Sequence, residues 1–210
     1  RDQLTLLKAS SKRAYRISNA NQAVAILHKA IQEAQTPPCG PVSVEIPIDI
    51  QSAKIPLSLL TAPLKRAPAV EPEPAMVDAL WAQLKQAKRP LLWLGGGALE
   101  SGKAVKTLAD AGVTVISSTH GRGILADSHR ASLRAFHNSP SVEALISQCD
   151  FTLVAGSRLR SNETRSWTLA LPTPRVQIDI DPAAASRNYL MDNTLVADCR
   201  ALLDALAKRV

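Results

Sequence analysis

The residues with the most chemical potential in this chain lie in four short loops, each just after an apolar run. They are Gly95-Gly96-Gly97, Thr119-His120-Gly121-Arg122-Gly123, Gly156-Ser157-Arg158 and Asp179-Ile180-Asp181. Consecutive glycines let backbone amides approach a ligand closely, and a helix start beyond them favours phosphate. The triplet at 95–97 is not a full G-x-G-x-x-G, since Glu100 stands where a third glycine would fall. A tight turn with no ligand explains it equally well. The hydroxyl of Thr119, the imidazole of His120 and the loop amides could line a nucleotide groove. His120 has no serine, cysteine or carboxylate visibly paired with it, so a locally hydrogen-bonded loop histidine is the plainer reading. Arg158, with Arg160 and Arg165 nearby, offers guanidinium forks for phosphate or for stacking on a base. Alternatively, these arginines balance Glu163 at the surface. Asp179 or Asp181 could accept from a ribose hydroxyl, or Asp181 could cap the helix that Pro182 would start.

What is missing narrows the chemistry. The chain has no G-x-x-x-x-G-K-[ST] phosphate loop, no G-x-S-x-G elbow and no H-E-x-x-H zinc helix. No carboxylate pair suggests acid and base. The pattern is a groove with no evident nucleophile, base or metal cage.

The elements that position these loops alternate. Met76, Val77, Leu80, Trp81 and Leu84 mark a helix face, started by Glu71-Pro72-Glu73-Pro74. Pro90–Leu94 is a wholly apolar strand. Ala104, Val105, Leu108 and Ala109 mark the next helix, beginning near Ser101, and Val113–Ile116 the next strand. Ser139-Pro140 opens a short helix carrying Val142, Leu145 and Ile146. Phe151–Ala155, Arg175–Ile180 and Leu195-Val196 follow as strands, and Asp198 caps a last helix with Leu202, Leu203 and Leu206 on one face. Strands apolar on both faces belong in a parallel sheet covered by helices. The predicted fold class is therefore α/β, a Rossmann-like doubly wound parallel sheet over 75–210.

Residues 1–50 hold one amphipathic helix (Ala23, Val24, Leu27, Ala30, Ile31, Ala34), capped by Asn19 or Asn21 and ended at Pro37-Pro38, and one strand at Val42–Pro47. One helix and one strand enclose no core, so this zone reads as part of another domain. Residues 51–74, with Pro56, Pro63, Pro68, Pro72 and Pro74, read as an extended linker.

Composition excludes several classes. The 210 residues are 46% hydrophobic, enough for a sizeable core. No apolar run reaches the roughly 20 residues of a membrane helix. Cys39, Cys149 and Cys199 form no C-x-x-C, so neither a disulfide framework nor a structural zinc is indicated. Aromatics at 3% speak against base-stacking platforms, and hence against nucleic acid as a partner. Net charge is +7, with the excess in residues 1–66, where nine Lys or Arg face four Asp or Glu. The cluster Lys8, Lys12, Arg13 and Arg16 reads as a solvated face. No secretory signal opens the chain, which suggests a cytoplasmic location. Its first residue is Arg1 rather than Met, which suggests a piece of a longer protein.

The ordered set of motifs resembles the thiamine-diphosphate-dependent enzymes, the family of acetolactate synthase and benzoylformate decarboxylase. Gly40-Pro41-Val42-Ser43-Val44-Glu45-Ile46-Pro47-Ile48-Asp49 is similar to the end of the family's pyrimidine-binding domain. The four glycine-, arginine- and aspartate-bearing loops follow in the family's order, as in its central domain.

The resemblance implies a three-domain parent acting on a 2-oxo acid, built as a homodimer or tetramer. Its thiamine diphosphate and magnesium would be held by flanking domains outside this chain, which would itself be inactive. It also implies that Gly95, Gly96, Gly97, Thr119, His120, Gly156, Ser157, Arg158, Asp179 and Ile180 line a groove that takes FAD, ADP or nothing in different members. The chain departs twice from the flavin-binding pattern. Leu133–Pro140 has no glycine, and Leu159–Thr164 lacks the acid and arginine that follow Gly-x-Arg in those members. A stand-alone FAD, ADP or NAD module, or an interaction domain with an empty groove, are the alternatives.

Overall fold

The computed structural model describes residues 2–60 and 69–210, which fall into two compact units divided before Ala69. Pro63 and Pro68 of the expected linker lie outside the described residues.

The first unit contains α1 (Gln3–Ser10), β1 (Arg13–Arg16), α2 (Ala23–Gln35), β2 (Val42–Glu45) and the short α3 (Ile48–Gln51). The sequence showed α2 and β2 but not α1 or β1. β1 lies parallel to β2, with Arg13 opposite Val42 and Arg16 opposite Glu45. Asp2 caps α1 by accepting from the Thr5 amide. Asn19 caps the 3-10 turn Ala20–Gln22 rather than α2, which begins without a side-chain cap.

Two members of the basic cluster are structural. Arg16 forks onto both carboxylate oxygens of Glu45, at 2.8 Å each. The Lys12 ammonium donates to the Glu33 and Thr36 carbonyls at 2.7 Å, closing the C-terminal end of α2. The described part of the linker is not wholly extended, since Leu57–Leu59 forms a 3-10 turn.

The second unit runs α4 (Pro74–Gln86), β3 (Pro90–Leu94), α5 (Gly102–Asp110), β4 (Thr114–Ser117), α6 (Pro140–Ile146), β5 (Phe151–Ala155), β6 (Arg175–Asp179), β7 (Asn193–Val196) and α7 (Cys199–Ala207). The strands form one all-parallel sheet in the order β4-β3-β5-β6-β7. Period-two alternation divides the core between the sheet's faces. Leu92 and Leu94 join Val77, Leu80 and Leu84 of α4, Val105 and Leu108 of α5, and Leu202, Leu203 and Leu206 of α7. Leu91 and Trp93 point the other way, into a cluster with Ile116, Val142, Ile146, Val154 and Leu169. Leu145, expected on the buried face of α6, is 47% exposed; that face is formed by Val142 and Ile146.

Short polar anchors fix the sheet's start. Both carboxylate oxygens of Asp150 accept from the Lys88 and Arg89 amides, at 2.8 and 2.9 Å. Those donors hold its carboxyl below the usual carboxylate range. Asp198 caps α7 through the Ala201 amide, as the sequence indicated.

Candidate functional site at the carboxyl end of the sheet

β3 is flanked by β4 and β5, so successive crossovers leave it in opposite directions. Its carboxyl end is therefore the switch point where ligands of such sheets bind. All four chemically promising loops gather along this edge, but they do not share one role.

The glycine turns pack on each other. Gly95 donates to the Ala155 carbonyl at 2.8 Å and Gly97 to the Gly156 carbonyl at 3.1 Å. A Cβ on Gly95 would sit 2.0 Å from the Gly156 oxygen, and one on Gly97 2.8 Å from the Gly156 Cα. Gly156 has φ +60°, a left-handed conformation that glycine adopts without strain. Gly121 packs the same way on the Leu94 carbonyl. Backbone approaching backbone thus accounts for these glycines. The helix beyond them starts where the sequence indicated, with Ser101 at its N-cap position. What the sequence did not show is the 3-10 stretch Gly96–Ser101 that separates the glycines from α5, so the Gly95 and Gly97 amides, paired to Ala155 and Gly156, are not part of that helix's N-terminus. Gly97 is exposed and Gly96 partly so, leaving these two on the rim.

Thr119 and His120 are exposed on the loop after β4. The Thr119 amide donates to Oε1 of Glu163 at 3.0 Å, and Nδ1 of His120 accepts from Arg160 at 2.8 Å. The idea that surface arginines balance Glu163 is thereby corrected. Glu163 is 2% exposed and takes a backbone amide, Arg160 goes to His120, and Arg165 pairs with Glu143. Ser157 is buried, and its hydroxyl accepts from the Leu159 amide, so its side chain is turned into the loop.

The β5 and β6 ends form the charged part of the rim. Arg158 stands 3.7 Å from the Asp181 carboxylate, and Asp181 also caps Pro182–Ala184 through the Ala183 amide. Asp179, half-buried, accepts from the Asp181 amide at 2.9 Å. Burial pushes its carboxyl above the ordinary value, against the pull of that amide and of Arg158. Ile180 lies just past the end of β6 and is half-buried.

Two side chains of this edge escaped sequence reading. Trp93 and His137 lie with ring centroids 6.1 Å apart. Trp93 Nε1 and His137 Nδ1 are buried without a hydrogen-bond partner among the described residues. Burial depresses the His137 pKa, while the Glu163 charge and the Ser117 carbonyl act the other way. The period-two pattern of β3 could have placed Trp93 beneath this loop. Nothing in the sequence linked it to residue 137.

Among the described residues, no group of three or more His, Cys, Asp or Glu could hold a metal ion, and no helix is long and apolar enough to cross a membrane. All three cysteines are free.

Comparison with known proteins gives a consistent answer. The family model for the thiamine pyrophosphate enzyme central domain matches residues 77–206. The chain is 26% identical over 220 residues to a "Probable acetolactate synthase large subunit" of Methanococcus aeolicus, covering all of this chain and 37% of that protein. It is 28% identical over 172 residues to a "Probable 2-ketoarginine decarboxylase" of Pseudomonas aeruginosa, covering 81% and 31% respectively. A solved structure, a "putative thiamin diphosphate-dependent enzyme" from Mycobacterium smegmatis, matches with a TM-score of 0.77 at 23% identity. That match covers all of this chain and 41% of the other, and it shows the fold. The chain thus spans well under half the length of these proteins. The central-domain match covers most of its residues, and on that ground the chain belongs to the thiamine pyrophosphate enzyme family.

Proposed function

We propose that residues 75–210 are the central scaffold of a thiamine-diphosphate-dependent enzyme that decarboxylates a 2-oxo acid or joins it to an acceptor. Residues 1–50 are then the tail of a pyrimidine-binding domain and 51–74 the linker. The observation that carries the scaffolding role is the backbone packing of Gly95 and Gly97 on Gly156, which uses the glycine turn to close the sheet edge. The relatives named for acetolactate synthesis and for decarboxylation support the reaction class. The electron sink that such a reaction needs is the chemistry thiamine diphosphate supplies when bound, with magnesium. The described residues form no metal cluster, so magnesium is assigned to no side chain among them. The same reading expects a homodimeric or homotetrameric parent in the cytoplasm.

A second reading, FAD or ADP in the groove, is favoured by the rim alone. Arg158 could meet a phosphate, and Asp179 could accept from a ribose hydroxyl, beside Gly96 and Gly97. The inner part fits such a ligand poorly, because the Gly97 and Thr119 amides are already engaged and Ser157 is turned inward.

The test is turnover. With thiamine diphosphate, magnesium and a panel of 2-oxo acids, this chain alone is expected to release no carbon dioxide. A longer polypeptide that adds flanking pyrimidine- and diphosphate-binding domains should release it. Turnover by the chain alone, or none by the longer protein, contradicts the proposal.

A further inference from the structure

We propose that Glu163 is an internal anion: its carboxylate takes the backbone amide that an external phosphate would use at the β4 exit, and so excludes such ligands from this part of the edge. The inference rests on the reading of a nucleotide-binding-like groove and names what controls its inner end.

Backbone amides at strand ends are the donors that bind anions. Thr119 carries one of them on an exposed loop, yet its partner is a side chain 44 residues away that is 2% exposed. Glu163 closes the 3-10 turn Ser161–Glu163 of the β5–β6 connection, so the contact ties that connection to the β4 loop. The cations on its own segment are committed elsewhere, Arg160 to His120 and Arg165 to Glu143. From the other loop, the buried His137 ring feels the charge of this carboxylate. Among the described residues no guanidinium is bonded to this carboxylate, so its charge repels a second anion, and the Thr119 amide is already used.

Two variants separate charge from shape. Glu163→Gln keeps an acceptor oxygen of the same reach and removes the charge. Glu163→Ala removes both. Amide hydrogen exchange on the whole chain should show Thr119 protected in the wild type and in Glu163→Gln. In Glu163→Ala its exchange should be at least about tenfold faster, with β3 and β5 amides unchanged. Titration with ADP, followed at the Thr119 amide resonance, should require about tenfold less nucleotide for Glu163→Ala than for the wild type, with Glu163→Gln, which loses the charge but keeps the bond, in between. Unchanged Thr119 exchange in Glu163→Ala would overturn the contact. Equal ADP response in all three proteins, including none in any, would overturn the exclusion. If the alanine variant does not fold, the glutamine variant carries the ADP arm. The exchange arm does not depend on the reaction of the parent, so it can succeed or fail independently of the turnover experiment.

Discussion

Gly95→Ala is expected to cost the second unit about 3 kcal/mol or more, at the upper end for overpacking. The added methyl would lie 2.0 Å from the Gly156 oxygen and 2.5 Å from the Ser157 Cα, both backbone atoms. Neither can swing aside as a side chain would. Relief requires β3 and β5 to part where Gly95 donates to Ala155, breaking the pairing at the centre of the sheet. Gly96→Ala is the matched control. Its Cβ would be 3.2 Å from the Cβ of the exposed His120, so the surface loop after β4 need shift by only a few tenths of an ångström, and the cost should stay under about 1 kcal/mol. All three tryptophans (Trp81, Trp93 and Trp167) lie in the second unit. Urea unfolding followed by tryptophan fluorescence therefore reports on that unit separately. A large drop in midpoint for Gly95→Ala with little change for Gly96→Ala is the expected pattern. Equal midpoints would mean that the glycines are kept for something other than packing.

Trp93→Ala is the second large effect, about 3–5 kcal/mol. The side chain is fully buried between Leu91, Ile116, Val154 and the loop bearing His137, and its loss leaves a cavity that a paired sheet cannot collapse to fill. Trp93→Phe should cost under about 1.5 kcal/mol. The indole nitrogen has no partner among the described residues, so its removal forfeits no hydrogen bond. Trp167→Ala makes the contrast. That ring is 50% exposed and its nitrogen donates to the Leu159 carbonyl, so about 1 kcal/mol is at stake. Thermal unfolding should place Trp93→Ala well below both Trp93→Phe and Trp167→Ala. A Phe variant as unstable as the Ala variant would show that the indole nitrogen has an essential partner.

The sheet was legible because its strands have little freedom. Pro90–Leu94 and Phe151–Ala155 are apolar at nearly every position and are buried at every position, so composition and burial agree. The helices could be read from their faces, and Asp198 and Pro74 could be read as their starts. β1 was not legible, because Arg13 and Arg16 bound four half-exposed or exposed residues whose partner strand lies almost thirty residues on. α1 was missed because none of its residues is buried.

The site was half legible for a more general reason. The sequence shows that glycine is needed after β3 and β5, but a glycine that admits another backbone reads the same as one that admits a ligand. Only the 2.0 Å approach at Gly95 separates the two. Glu163 posed a similar ambiguity. As a letter among arginines it suggested surface charge, whereas its buried bond to Thr119 depends on bringing together loops from β4 and β5.

The most direct test of the account uses flavin. The purified chain is incubated with FAD, freed of excess ligand by gel filtration, and its visible spectrum and eluted size are recorded. Glycine turns spent on backbone packing, with the Thr119 amide held by Glu163, predict a colourless protein. A flavin band that co-elutes with the protein at one per chain would contradict the account, and would make Gly96, Gly97, Arg158 and Asp179 parts of an occupied nucleotide site.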